Sequence, residues 1–114
     1  MSRKNSQAAR KQAPAPIFAA MGDATRLALI EKLSDGTPCS IAQLTEGTDL
    51  TRQAVTKHLR VLEGVNIVRS VRTGRESLFQ LDPAPLRLVR DYADVVSQQW
   101  DAALTRLKDF VEKS

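Results

Sequence analysis

The sequence predicts a mainly α (α+β) fold, and three observations carry that prediction. Apolar residues recur at helical spacing up to Gly64 and again from about Pro85 to Glu112. Between Ile67 and Leu81 the pattern shortens to two β-type runs around Thr73-Gly74-Arg75. Five glycines (Gly22, Gly36, Gly47, Gly64 and Gly74) punctuate the chain almost element by element. A length of 114 residues is room for one domain, and 42% apolar residues are enough for its core.

Each element follows from its local chemistry. The first sixteen residues lack apolar periodicity and contain Pro14 and Pro16, so 1–16 reads as a disordered basic tail and 17–114 as the domain. Ile17–Met21 reads as a short apolar helical turn. Asp23 is a good N-cap for a three-turn helix whose stripe is Ala24, Leu27, Ala28, Ile30 and Leu33. Ser40 caps a brief helix through Leu44, with Ile41 and Leu44 inward. After a polar turn over 46–49, Thr51 caps a helix to about Glu63, with Gly64 expected as its left-handed C-cap. Ile67–Arg72 and Glu76–Leu81 form a hairpin with Gly74 at its turn. The last helix carries Val89, Ala93, Val96, Trp100, Ala103, Leu107 and Phe110, spaced alternately by four and three. Helix, helix, short helix, turn, helix, hairpin and long helix is the order of a winged helix-turn-helix with a C-terminal extension.

The net charge of +4 is unevenly distributed. Arg3, Lys4, Arg10 and Lys11 in the tail face no acid, and residues 51–79 hold six bases against Glu63 and Glu76. A body otherwise near neutral with one basic block is polarised toward a polyanionic partner. Other classes recede. No apolar run is long enough to span a bilayer, and the N-terminal segment lacks the apolar stretch of a signal peptide, so neither membrane insertion nor export is expected. One cysteine and one histidine leave no internal disulfide and no protein-only zinc site of the usual ligands. The expected location is cytoplasmic, with no metal and no cofactor.

The helix over 51–63 has two faces. At about 100° per residue, with Val55 at the origin, Leu59 falls at about 40° and Leu62 at about 340°, which defines the buried stripe. On the same wheel Thr56 lies at about 100°, Arg60 at about 140°, Gln53 at about 160° and Lys57 at about 200°. That outward face holds cations, an amide and a hydroxyl, with no acid before Glu63. It is the inventory that reads DNA: glutamine bonds adenine at two points, arginine and lysine address guanine or phosphate, and threonine does either. Thr51, Arg52, Gln53, Thr56, Lys57 and Arg60 are therefore the candidate contacts on this helix. Arg72 and Arg75 flank the hairpin tip, placed to enter a minor groove or lie along phosphates. His58, at about 300° on the wheel, borders the buried stripe. It reads as a packing histidine bonded to neighbouring backbone, with a ligand or base contact as the alternative.

Ala20-Met-Gly-Asp23-Ala-Thr25-Arg26-Leu27 with Ile30 resembles the opening signature of the ArsR/SmtB family of bacterial winged-helix repressors. Residues 50–63 look like that family's recognition helix, and Ile67-Val68-Arg69 onward looks like its wing. The resemblance covers residues 17–82 and implies a homodimer that binds operator DNA and represses nearby genes. For many members it also implies release from DNA by a metal ion. This chain departs from the family there. Where many members place a Cys-x-Cys pair it has Ser40 and Ala42, and residues 83–114 contain no His and no Cys. Cys39, beside those positions, reads as a small buried residue, with a reactive thiol as the alternative. A small-molecule or redox effector stays open.

The terminal helix is too long for one small domain to cover, and its apolar surface is wide. An isologous two-fold dimer is therefore expected, built from Ile17, Phe18, Met21, Val89, Tyr92, Val96, Trp100, Leu104 and Leu107. Such a dimer presents two recognition helices about one DNA turn apart to an inverted repeat. Two other classes compete with this one. An enzyme would need a nucleophile–base pair, a metal or a phosphate loop, and none is written in the sequence. A dimeric winged-helix protein-interaction module without DNA binding would carry acidic or apolar residues where Gln53, Thr56, Lys57 and Arg60 stand.

Overall fold

A computed structural model describes residues 13–113. Helix α1 (Pro14–Met21) opens the fold. The two prolines expected to precede it lie inside its first turn. There the backbone N–H groups have no helical acceptor, so a residue without one costs nothing. Of the expected tail, residues 1–12 lie outside the described residues, and 14–16 belong to α1.

Helix α2 (Ala24–Leu33) starts at Asp23, whose Oδ2 accepts the Arg26 backbone N–H at 3.0 Å. Its buried residues are Leu29, Ile30 and Leu33. The buried stripe is displaced from the expected one, because Leu27 is 42% exposed. The helix is flanked by α1, by the later helix over 52–64 and by the sheet, and Leu29, Ile30 and Leu33 rather than Leu27 are buried there. Strand β1 (Cys39–Ser40) follows, two residues that alternation could not reveal. Helix α3 (Ile41–Thr45) begins with a reciprocal capping box: the Gln43 N–H donates to Ser40 Oγ at 3.1 Å, and the Ser40 N–H donates to Gln43 Oε1 at 2.8 Å.

Helix α4 (Arg52–Gly64) is capped by Thr51, whose hydroxyl oxygen accepts the Ala54 N–H at 3.0 Å. Its C-terminal end differs from expectation. Gly64 is the last helical residue, and the left-handed position is Asn66, at φ 63°. The Ile67 N–H donates to the Leu62 carbonyl and the Asn66 N–H to the Glu63 carbonyl, both at 3.0 Å. This is the Schellman pattern, and Leu62 and Ile67 both lie in the core beneath it. Asparagine tolerates the left-handed conformation better than other side-chain-bearing residues, which lets the turn form without glycine.

Strands β2 (Val68–Thr73) and β3 (Glu76–Leu81) form the hairpin, and β3 also pairs with β1, giving an antiparallel sheet of order β1-β3-β2. Thr73 faces Glu76 across a two-residue turn in which Gly74 has φ 62°. That left-handed φ at the first turn position is where glycine is needed. Helix α5 (Pro83–Lys113) has 31 residues, about 46 Å at 1.5 Å per residue. Only its beginning meets the core, through Leu86, Leu88 and Val89. The core itself gathers one side of α1 to α4, of β2 and of β3, with Ile67 between α4 and β2: Ile17, Ile30, Leu33, Leu44, Val55, Leu59, Leu62, Ile67, Val68 and Phe79 are all buried. The architecture is a winged helix-turn-helix, mainly helical, with a small antiparallel sheet and a long terminal helix. No helix among the described residues is long and apolar enough to cross a membrane.

Asp23 carries a measurable consequence. The Arg26 backbone hydrogen bond, and then the positive charge of Arg26, hold its carboxyl below the ordinary carboxylate range against some loss of hydration. A folded-state value below the unfolded one means the cap stabilises above about pH 4 and is lost as pH falls through the folded value. Thermal midpoints of the wild type and Asp23→Ala should therefore differ most near neutrality, and the gap should narrow as pH falls below about 4. A gap that stays constant with pH would contradict this cap's ionic character.

Candidate nucleic-acid interface

Helix α4 shows its two faces as three buried residues, Val55, Leu59 and Leu62, against an exposed series. Arg52, Gln53, Lys57 and Arg60 are exposed, and Thr51 is exposed at the cap. Thr56 is half-buried, and its hydroxyl donates to the Arg52 carbonyl at 2.7 Å, so what it offers outward is an acceptor. Arg60 is engaged: its Nη1 lies 3.1 Å from Glu63 Oε1. The two residues are an i,i+3 pair, a spacing at which side chains on one helix meet. Arg72 and Arg75 are exposed on the hairpin, on either side of Gly74.

The wing is fastened to the body by side chains that sequence reasoning did not single out. Arg69 Nη2 reaches Gln80 Oε1 across the β2–β3 register at 3.5 Å, and Gln80 Nε2 donates to the Gly36 carbonyl at 3.1 Å. Ser70 Oγ donates to Glu63 Oε2 at 2.9 Å, joining β2 to the end of α4.

His58 does pack beside the buried stripe, but its partners are side chains and not the expected backbone. Nδ1 lies 3.3 Å from Arg26 Nη1 and 3.7 Å from Asp23 Oδ2. Arginine only donates, so Nδ1 is the acceptor in that contact. Arg26 also donates from Nε to the Ala20 carbonyl and from Nη2 to the Ala19 carbonyl at the end of α1. The cluster joins α1, α2 and α4. Cys39 is partly exposed, not buried, and its Sγ lies 3.6 Å from the Thr37 carbonyl. Among the described residues no group of three or more His, Cys, Asp or Glu is arranged to hold a metal ion.

The residues assigned to a dimer surface divide. Ile17, expected at the dimer surface, instead has no exposure and fills the protomer's own core, because α1 packs against the start of α5, α2 and α4. Met21 and Val89 are half-buried against the same core. Phe18, Tyr92, Val96, Trp100, Leu104 and Leu107 are exposed, and Val95 is exposed beside them. Phe18 packs edge-on against Tyr92, centroids 5.5 Å apart. With Trp100 at the origin, Tyr92, Val96, Leu104 and Leu107 fall within an arc of about 120° on a helical wheel. It is one continuous apolar stripe that the protomer does not cover.

A helix-turn-helix body, a basic outward helix and a cationic hairpin define a winged helix-turn-helix of the kind found in transcriptional regulators. Residues 21–71 match the family described as Helix-turn-helix domain. The chain is 31% identical over 101 residues to the HTH-type transcriptional regulator Rv2034 of Mycobacterium tuberculosis, covering 89% of this chain and 91% of that one. An ArsR-like transcriptional regulator from Rhodococcus sp. RHA1 superposes with a TM-score of 0.73 at 31% identity, covering 85% of this chain and 91% of that one. The ArsR family transcriptional regulator RHA00566 gives 0.68 at 27% identity, covering 75% and 88%. The chain belongs to the ArsR-like family of winged helix-turn-helix transcriptional regulators.

Proposed function

We propose that the protein is a homodimeric, sequence-specific DNA-binding repressor that reads an inverted-repeat operator through α4 and the wing. The observation that carries this reading is the outward face of α4, where Gln53 and Lys57 are exposed, with Arg52 exposed in the first turn and no acid among them. A surface helix without a polyanionic partner ordinarily mixes acids among its bases to gain i,i+4 pairs. The exposed Arg72 and Arg75 extend the same charge along the wing. Two copies related by a two-fold axis would place α4 in successive major grooves and occlude polymerase from the promoter. The exposed stripe of α5 supplies the surface for that axis.

The test is an anisotropy titration of a labelled duplex from the region upstream of the protein's own coding sequence, against a scrambled duplex of the same length. The expected result is preferential binding with a steep salt dependence. Equal affinity for both duplexes at every salt concentration would reject sequence-specific reading. Within a recognised site, Gln53→Ala should relax discrimination at one base pair by about 1–3 kcal/mol and leave the other positions unchanged. A panel of single-base operator variants checks this.

A further inference from the structure

Glu63 is the single acid on α4. Each of its carboxylate oxygens is taken by a different element: Oε1 by Arg60 at 3.1 Å within the helix, and Oε2 by the Ser70 hydroxyl on β2 at 2.9 Å. The Arg60 side chain is 66% exposed, so packing does not hold it there. An exposed pair of this kind adds little to stability. On a face that meets a polyanion, however, it removes a cation from the pool free to reach phosphate.

We infer that Glu63 is a specificity-determining residue. It restrains Arg60 from indiscriminate phosphate contact and ties the last turn of α4 to the wing. The inference rests on α4 being the DNA-reading helix. Non-specific affinity grows with the number of cations that displace condensed counterions, wherever those cations point. Specific affinity depends on side chains held in register with base edges. A carboxylate shared between helix and wing acts on both in opposite directions. It lowers attraction to any duplex, and it fixes the geometry that one particular duplex matches.

The experiment measures salt dependence on random and operator duplexes for the wild type, Glu63→Gln, Ser70→Ala, and Glu63→Gln combined with Arg60→Gln. Glu63→Gln is isosteric, and an unchanged thermal melt shows that it folds. It should bind random duplex several-fold more tightly, with a log–log salt slope steeper by about 0.9 per protomer as Arg60 gains a phosphate. Its operator-to-random ratio should fall. Adding Arg60→Gln should return the slope to the wild-type value. Ser70→Ala should leave the slope alone and weaken operator binding only. If Glu63→Gln keeps the wild-type slope and ratio while the wild type discriminates its operator, the role assigned to Glu63 is wrong and the DNA reading stands. If the wild type binds no duplex, both fall together.

Discussion

Trp100→Glu is expected to leave the protein monomeric at micromolar concentration and to cut its affinity for an inverted-repeat duplex by about 100-fold or more. Trp100 is 63% exposed in the protomer and lies in the middle of the stripe running from Tyr92 to Leu107. A helix normally turns a stripe of that width toward a core. The core here meets α5 only as far as Val89, so the stripe needs a second surface. A two-fold axis through α5 would bury Trp100 against its own copy, and a carboxylate placed there would be an unpaired charge in an apolar contact. The loss on DNA follows from geometry. Two linked half-site contacts gain through effective concentration what neither has alone. Because Trp100 lies beyond the part of α5 that touches the core, the variant should keep its helical circular dichroism. Sedimentation velocity reads the oligomeric state, and anisotropy reads the affinity. A wild type that sediments as a monomer, or a monomeric variant with undiminished affinity, would defeat the proposed assembly.

Local chemistry made most of the fold legible. The caps at Asp23, Ser40 and Thr51 accept the hydrogen bonds their positions called for, and the hairpin turns at Gly74. The failures share one cause. Leu27 fits a helical stripe, but which side of α2 is buried depends on where α1, α4 and the sheet press on it. Ile17 reads as dimer surface in a short apolar segment until that segment is folded against α2, α4 and the start of α5. Strand β1 exists because Cys39 and Ser40 meet Phe79 and Leu78, partners far along the chain. The same holds for the candidate interface. The cations of α4 are legible from angle alone, and the Arg60–Glu63 pair from its i,i+3 spacing, whereas the Ser70 hydroxyl reaches Glu63 only once β2 is folded against the helix end. Asn66 is the instructive exception. Its left-handed conformation is a local property, but glycine two residues earlier offered a stronger signal and drew the cap to the wrong place.

Replacing Arg52, Lys57 and Arg75 together with glutamine should produce the largest change on DNA. The three side chains are exposed and make no hydrogen bond or ion pair with other described residues, so their removal takes nothing from the fold. Arg60 is kept because Glu63 already holds it. In a dimer the triple variant loses six cations. At a slope of about 0.9 per phosphate contact, the log–log salt dependence should flatten by up to about 5. Electrostatic terms of this kind converge toward about 1 M salt, so at about 0.1 M the loss could reach about 10⁵-fold, with one phosphate contact fewer removing about 0.9 of a decade. The control is an equal charge change elsewhere: Arg87, Arg106 and Lys113 on α5 replaced by glutamine. That variant alters net charge by the same amount and leaves α4 and the wing intact. It should shift affinity only through the long-range field, which salt at about 0.15 M screens beyond about 8 Å. Equal losses in the two triple variants would mean that DNA is attracted by net charge alone and that no face of this domain is built to receive it.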